Sequence, residues 1–278
     1  MIEVPIIDRA FPNGISMQGI MPKHMKWKWR WNTPQKYVVF TDRAIEAAEG
    51  GLCPQATGAI KIALLIEARH CDHTGYLSLQ RLQHEFNYIL THELAVIEEF
   101  KPKALWYPHG GCWIPGNDVR LDHTKSTTNP VSLIASEKAN AEGHKLRHAI
   151  VNRFGKSIKV FGRKYNPIQF KTPGLAPFMF SFAIENGRAD CYFTEKLIDC
   201  FATGTIPIYW GSGGISRHFN MDGVIMLKDI DEIDTILPTL TMDRYLSLRP
   251  AIVDNFYRAK DFFVSEDWIC THYPSLFA

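Results

Sequence analysis

No apolar run in this sequence approaches the roughly 20 residues that a helix needs to cross a bilayer, so no membrane-spanning segment is expected in its 278 residues. The opening stretch MIEVPIIDRAFPNG carries acidic Glu3 and Asp8 and has no basic segment ahead of an apolar core, so no secretory leader is expected there. There is little excess of charge. The 31 Lys and Arg against 29 Asp and Glu leave a formal +2, so nothing global draws the chain to nucleic acid or to a membrane, and any anion site must be local. Cysteine is sparse: the six at 53, 71, 112, 191, 200 and 270 form no CxxC pair and read as reduced thiols of a cytoplasmic protein. Several catalytic frames are missing as well. There is no GxSxG for a hydrolase elbow, and Gly211-Ser212-Gly213-Gly214 lacks the GxxxxGK[ST] frame of a phosphate loop. His70-Cys71-Asp72-His73, taken with His109 and Cys112, matches no zinc-ligand spacing. No internal repeat or low-complexity segment is present.

What is present is a globular composition, 46% hydrophobic and 22% charged, in which strand and helix patterns alternate. Strands are expected at 4–8, 37–42, 61–66, 88–91 and 104–107, with helices over 43–48, 76–86 and 92–99. KIALLI at 61–66 is continuously apolar, as in a parallel strand covered on both faces. KWKWRW at 26–31 alternates strictly and reads as a strand with one wet face; a membrane-surface or glycan-contacting strip is the alternative. The polar, aperiodic stretch 121–130 ends in proline and reads as a linker. Beyond it the alternation restarts, with a helix expected over 136–154, strands at 158–161 and 223–227, a helix at 230–237 and a long helical region from about 242 to 263. This order predicts an α/β fold of two halves, 1–125 and 126–278, built of βαβ units around parallel sheets, with ligand groups facing a cleft.

Polar chemistry is densest in residues 180–211. SFAI ends in Glu185-Asn186, and Thr194 caps a short helix with Glu195 and Lys196 in its first turn. Leu197, Ile198 and Phe201 give that helix an apolar face, Gly204 stops it, and TIPIYW is the next buried strand. Polar groups at a strand end and a helix start are where α/β folds bind ligands, and a helix N-terminus suits a phosphate. The basic pair Arg147 and Lys196 suits a diphosphate, and the lone Glu67 at the end of a buried strand in the other half suits a general base.

The segment FAIENGRADCYFTEKLIDCFATGTIPIYWG resembles the signature of the family 10 glycosyltransferases, the α-1,3/4-fucosyltransferases: F-x-x-E-N-S, then Y-x-T-E-K, then G-x-x-P-V-x-x-G. Phe182, Glu185, Asn186, Tyr192, Thr194, Glu195, Lys196, Gly204, Pro207 and Gly211 match. Upstream, Ser136, Arg147, Gly162 and Lys171 stand where the family has the same residue types. Phe86 to Thr91, Tyr107-Pro108-His109-Gly110 and Ile66-Glu67-Ala68 resemble its F-N-x-x-x-T, P-Y-G and E-S-P segments. Gly187 stands in place of the serine after Glu-Asn, and Ala68-Arg69 in place of Ser-Pro.

The resemblance implies a GT-B architecture, two Rossmann-like domains facing a cleft, and an inverting transfer of a sugar, most often L-fucose, from a GDP-sugar to a glycan hydroxyl. It implies Glu67 as the catalytic base, with Arg147, Glu185, Asn186, Tyr192, Glu195 and Lys196 at the donor. The N-terminal half would face the acceptor and the C-terminal half would hold the GDP-sugar. Neither Asp190-Cys191 nor Asp72-His73 resembles the metal-binding acidic pair of the other large glycosyltransferase fold. No obligatory cofactor or metal is therefore implied, a divalent ion being at most stimulatory. The expected partners are the GDP-sugar and a glycan, with no nucleic acid. The alternative is a nucleotide-sugar- or glycan-binding protein of the same fold without turnover.

Overall fold

The structure is a computed structural model, and it describes residues 1–8, 20–50, 52–108 and 110–278. His109 of the Tyr107–Gly110 segment and of the zinc reading lies outside the described residues.

The first half lays down β1 (Ile2–Ile7), β2 (Met25–Lys28), β3 (Tyr37–Thr41), β4 (Ile60–Leu65), α1 (His73–Leu82), β5 (Tyr88–Thr91), α2 (Leu94–Glu99) and β6 (Ala104–Trp106). Its strands pair in parallel in the order β2-β1-β3-β4-β5-β6. The second half runs β7 (Val131–Ile134), α3 (Glu142–Phe154), β8 (Lys159–Phe161), α4 (Thr172–Leu175), β9 (Phe180–Ile184), α5 (Glu195–Ala202), β10 (Ile206–Trp210), β11 (Ile225–Met226) and α6 (Ile233–Ile236). Then follow α7 (Met242–Ser247), α8 (Arg249–Ala259) and α9 (Ser265–His272). Its parallel sheet has the order β11-β10-β9-β7-β8. Two parallel sheets, each built from crossover units, make the α/β class read from the alternation. β4, β9 and β10 sit inside their sheets and are almost wholly buried, which is why their sequences are apolar on both faces.

Several boundaries differ from the sequence reading, each for a local reason. The alternating strip forms a strand only over Met25–Lys28. Met25 and Trp27 turn inward, while Lys26 and Lys28 turn out to Glu3 at 2.7 and 3.4 Å. The helix expected over 136–154 begins at Glu142, because residues 136–141 have no apolar stripe to bury and form exposed loop instead. The long C-terminal helix is two: Pro250 cannot donate to a preceding turn, so α7 ends and α8 starts around it. Residues 43–48 form a 3-10 helix that begins at Asp42.

Between β6 and β7 the chain is irregular, yet Ser126 N–H donates to the Pro177 carbonyl at 2.7 Å and Lys125 reaches the second half. The chain after Phe263 leaves the second sheet. α9 packs on β2, and the Lys23 and His24 amides donate to Asp267 at 2.8 and 2.9 Å. One apolar cluster joins the sheets, running from Val4, Leu64 and Tyr107 through Phe193 and Phe262 to Trp268. The cleft opens on the other side of that shared floor, at the C-terminal ends of β4 and β9.

Candidate active site

A cavity of about 280 Å³ receives side chains from both halves. β4 delivers Glu67, one residue past its buried Ile66; α3 delivers Arg147; the β9–α5 connection delivers Asn186, Tyr192, Glu195 and Lys196. The two walls touch where the Tyr192 hydroxyl donates to Glu67 Oε2 at 3.4 Å. Of the seven residues singled out in the sequence, six line this space.

Glu185 does not line it. Its carboxylate is fully buried behind the wall and accepts from Thr194 N–H at 2.9 Å and Thr194 Oγ1 at 2.7 Å. Burial pushes this carboxyl above the usual range, with Lys196, 3.6 Å away, pulling the other way. Glu185 therefore ties the end of β9 to the start of α5 and shapes the site from behind. Thr194 is the N-cap of α5, its hydroxyl accepting from Lys196 N–H at 3.3 Å, as the sequence predicts.

The cations differ in how far they are already neutralised. The Lys196 amine is shared among Thr194 Oγ1 at 3.0 Å, Glu195 Oε1 at 3.3 Å and Glu185. Lys171 bridges Asp199 at 2.8 Å and Glu195 at 3.2 Å beneath the Trp113 ring. Burial works against its charge, but Asp199 and then Glu195 hold it protonated, above the usual lysine range. Burial pushes Asp199 up to about 6 despite Lys171. Arg147 is different. Its guanidinium is buried and donates only to neutral oxygens, the Ile184 carbonyl at 2.8 Å and Asn186 Oδ1 at 3.0 Å. Among the described residues no carboxylate lies within ion-pair distance of it, and burial depresses its pKa. A buried cation with only neutral partners is stabilised by an incoming anion. His144, beside it, is held neutral: burial, then the Arg147 charge, bring it down to about 4.

Sequence reading missed Trp113, Lys138 and Asp199, all of which line the cavity. Asp199 follows Glu195 by one helical turn, a spacing that could have flagged it. Trp113 carried no signal, since a loop after β6 puts it there; its backbone N–H donates to Asp199 Oδ1. The space continues past Trp113 into a second lobe of about 530 Å³, floored by Gly162 and Arg163 and flanked by half-exposed Phe170. Gly187 has a physical reason to depart from serine: a Cβ there would stand 1.8 Å from His70 Nε2, which reaches over from the first half. Asp72 is paired with Arg43 at 3.0 Å, burial pushes the Cys71 thiol up to about 12, and no three metal-type ligands gather among the described residues. Nor is any described helix long and apolar enough to cross a membrane.

Residues 124–248 match the family described as glycosyltransferase family 10 (fucosyltransferase), C-terminal part. The α-(1,3)-fucosyltransferase FucT of Helicobacter pylori is 36% identical over 70 residues, 25% of this chain and 14% of that protein. A protein of Acanthamoeba polyphaga mimivirus described as a fucosyltransferase is 32% identical over 91 residues, 32% of this chain and 15% of its own length. The matches thus span about one seventh of each of these relatives. Among solved structures, an α1,3-fucosyltransferase with GDP superposes with a TM-score of 0.53 at 16% identity, over 87% of this chain and 83% of that one. HepE of Anabaena, in complex with UDP and glucose, superposes with a TM-score of 0.62 at 12% identity, over 99% and 100%. At those identities the likeness is one of fold, and the fold is GT-B.

Proposed function

We propose that this chain, whose residues 124–248 belong to glycosyltransferase family 10, is an inverting glycosyltransferase that moves L-fucose from GDP-fucose to a hydroxyl of a glycan. The observation that carries this reading is one cavity with a carboxylate, Glu67, on its first-half wall and a buried, unneutralised Arg147 on its second-half wall. A single displacement needs both. The acceptor oxygen bonds to the anomeric carbon as the bond to the β-phosphate oxygen breaks. The proton of the acceptor hydroxyl passes to Glu67, and the electron pair leaves with GDP. Arg147, Lys196 and the amide end of α5 balance the charge that grows on the leaving diphosphate. Asn186, Tyr192 and Glu195 orient the sugar and ribose, and the lobe beyond Trp113 has room for the base. No metal or cofactor step is invoked.

The test uses two substitutions and a donor screen. Arg147→Ala should weaken GDP binding about 10- to 100-fold, the effect of losing charge-assisted hydrogen bonds, read by calorimetry. Glu67→Gln should keep GDP binding and lose transfer. Turnover is followed with GDP-fucose, GDP-mannose and UDP-glucose. Retained transfer in Glu67→Gln would remove the base assignment. GDP binding with no transfer from any donor by wild type would favour the binding-protein reading instead.

A further inference from the structure

Asp42 is the buried ionisable group next to the site that the proposed reaction leaves unused. It stands at the end of β3 with φ at +41°, in the left-handed region, which a residue with a side chain adopts at a cost unless its surroundings impose it. The surroundings do impose it. Gly75, in the first turn of α1, presses so close that a Cβ there would lie 2.9 Å from the Asp42 carbonyl carbon. The turn aims the carboxyl back under β4. Oδ1 accepts from the Ile66 N–H at 2.9 Å and from the Glu67 N–H at 3.3 Å. From the other side, the Tyr76 hydroxyl of α1 donates to the Glu67 carbonyl at 3.0 Å.

We infer that Asp42 is a positioning residue: with Tyr76 it clamps the Glu67 peptide at both its N–H and its C=O, and so fixes where the general base projects into the cavity. The inference rests on the reading of Glu67 as the base. A residue just past the end of a strand has no neighbouring strand to hold its amide, and Asp42 supplies that partner through strained backbone. The groups facing Asp42 are Glu67, Asp72, Tyr76, Tyr107 and, by charge, Arg43. Oδ2 is buried with no partner among the described residues. Burial, opposed by the Ile66 amide and reinforced by the Glu67 charge, pushes the Asp42 carboxyl well above the usual range.

This makes asparagine the conservative substitute. Asn is at ease with a left-handed backbone and keeps the Oδ1 acceptor. Glycine also takes the backbone conformation but removes the clamp. The expected result is that Asp42→Asn keeps kcat close to wild type, whereas Asp42→Gly lowers kcat on the order of 10- to 100-fold, as for a displaced catalytic group. GDP affinity should be unchanged in both, because the phosphate-facing cations come from the other half. Tyr76→Phe, which removes only the second arm of the clamp and leaves the ring packed, should lower kcat in the same direction and serves if Asp42→Gly does not fold. Glu67→Gln runs alongside. If it is inactive while Asp42→Gly or Tyr76→Phe keeps wild-type kcat, the clamp is wrong and the base stands. If Glu67→Gln transfers sugar, both fall. A fall in kcat that Asp42→Asn shares with Asp42→Gly would also overturn the clamp.

Discussion

Lys125 carries its amine into the second half of the molecule, where among the described residues only neutral oxygens bond it: the Ala176 and Thr203 carbonyls at 2.9 and 3.0 Å and Thr205 Oγ1 at 3.2 Å. Burial brings its pKa from the usual lysine value down to about 7. An unfolded lysine keeps its proton to about pH 10.4. Between those values the unfolded chain binds the extra proton, so stability rises with pH across that window; below pH 7 both states are protonated and the contribution is flat. Wild type should therefore gain unfolding free energy relative to Lys125→Met between pH 7 and pH 9.5 in urea titrations, and a constant difference would show that the amine is not desolvated. Nothing in the sequence marks this lysine, because residues 121–130 are polar and a lysine there belongs by default in water. Trp113 and Asp42 were hidden for a related reason: their roles are made by contacts with residues far along the chain. Glu67 and Lys196 were legible because they sit where a strand ends and where a helix starts, whereas Arg147, in the middle of α3, was legible as a cation that suits a diphosphate and as a match to the family pattern. Glu185 was legible as a member of the motif but not as to where its carboxylate would point.

α5 is the element that the site is hung on. Its eight residues carry Glu195 and Lys196 toward the cavity and Leu197, Ile198 and Phe201 into the shared core, and its start is fixed by Thr194. Cap, apolar face and stop at Gly204 all lie within eleven residues, so this helix could be read from sequence alone. The opposite holds for residues 136–141. Ser136 predicts a helix start, yet residues 136–141 have nothing apolar to bury, and helix without a buried face is marginal. Their unwinding brings Ser136 and Lys138 to the cavity rim. Thr194 holds more than a cap. Its hydroxyl accepts from the Lys196 amide and amine and donates to Glu185. Thr194→Ala should cost about 1–2 kcal/mol of stability, the range for a lost cap, and leave Glu185 buried with one partner fewer. GDP affinity should fall with it, since the Lys196 amine loses its 3.0 Å anchor. Thr194→Ser should restore both; Ala and Ser behaving alike in thermal unfolding and GDP titration would mean the hydroxyl holds nothing.

At the scale of the whole molecule, two sheets with their own helices would ordinarily unfold as two units. Here the shared apolar cluster argues otherwise. Trp268 is buried, with its ring edge-on to Trp106 at 5.3 Å and to Tyr107 at 5.9 Å, and α9 places it there only because the chain returns to the first sheet after Phe263. That return was not legible. The 242–263 region reads as helix wherever it packs, and no local pattern says which sheet its continuation will cover. Once there, α9 makes the stability of the first half depend on the last residues of the second. The consequence is a single unfolding transition. Tryptophan fluorescence, weighted toward Trp27, Trp29, Trp31 and Trp106 of the first half, and far-UV dichroism of the whole chain should give coincident denaturant midpoints. Trp268→Ala should lose about 3–5 kcal/mol, the range for a large aromatic removed from a core, and should lower both midpoints together. Separate midpoints in wild type would mean that the halves are energetically independent. The floor of the cleft would then be a hinge, and the 3.4 Å approach of Tyr192 to Glu67 would have to be made anew at each closure.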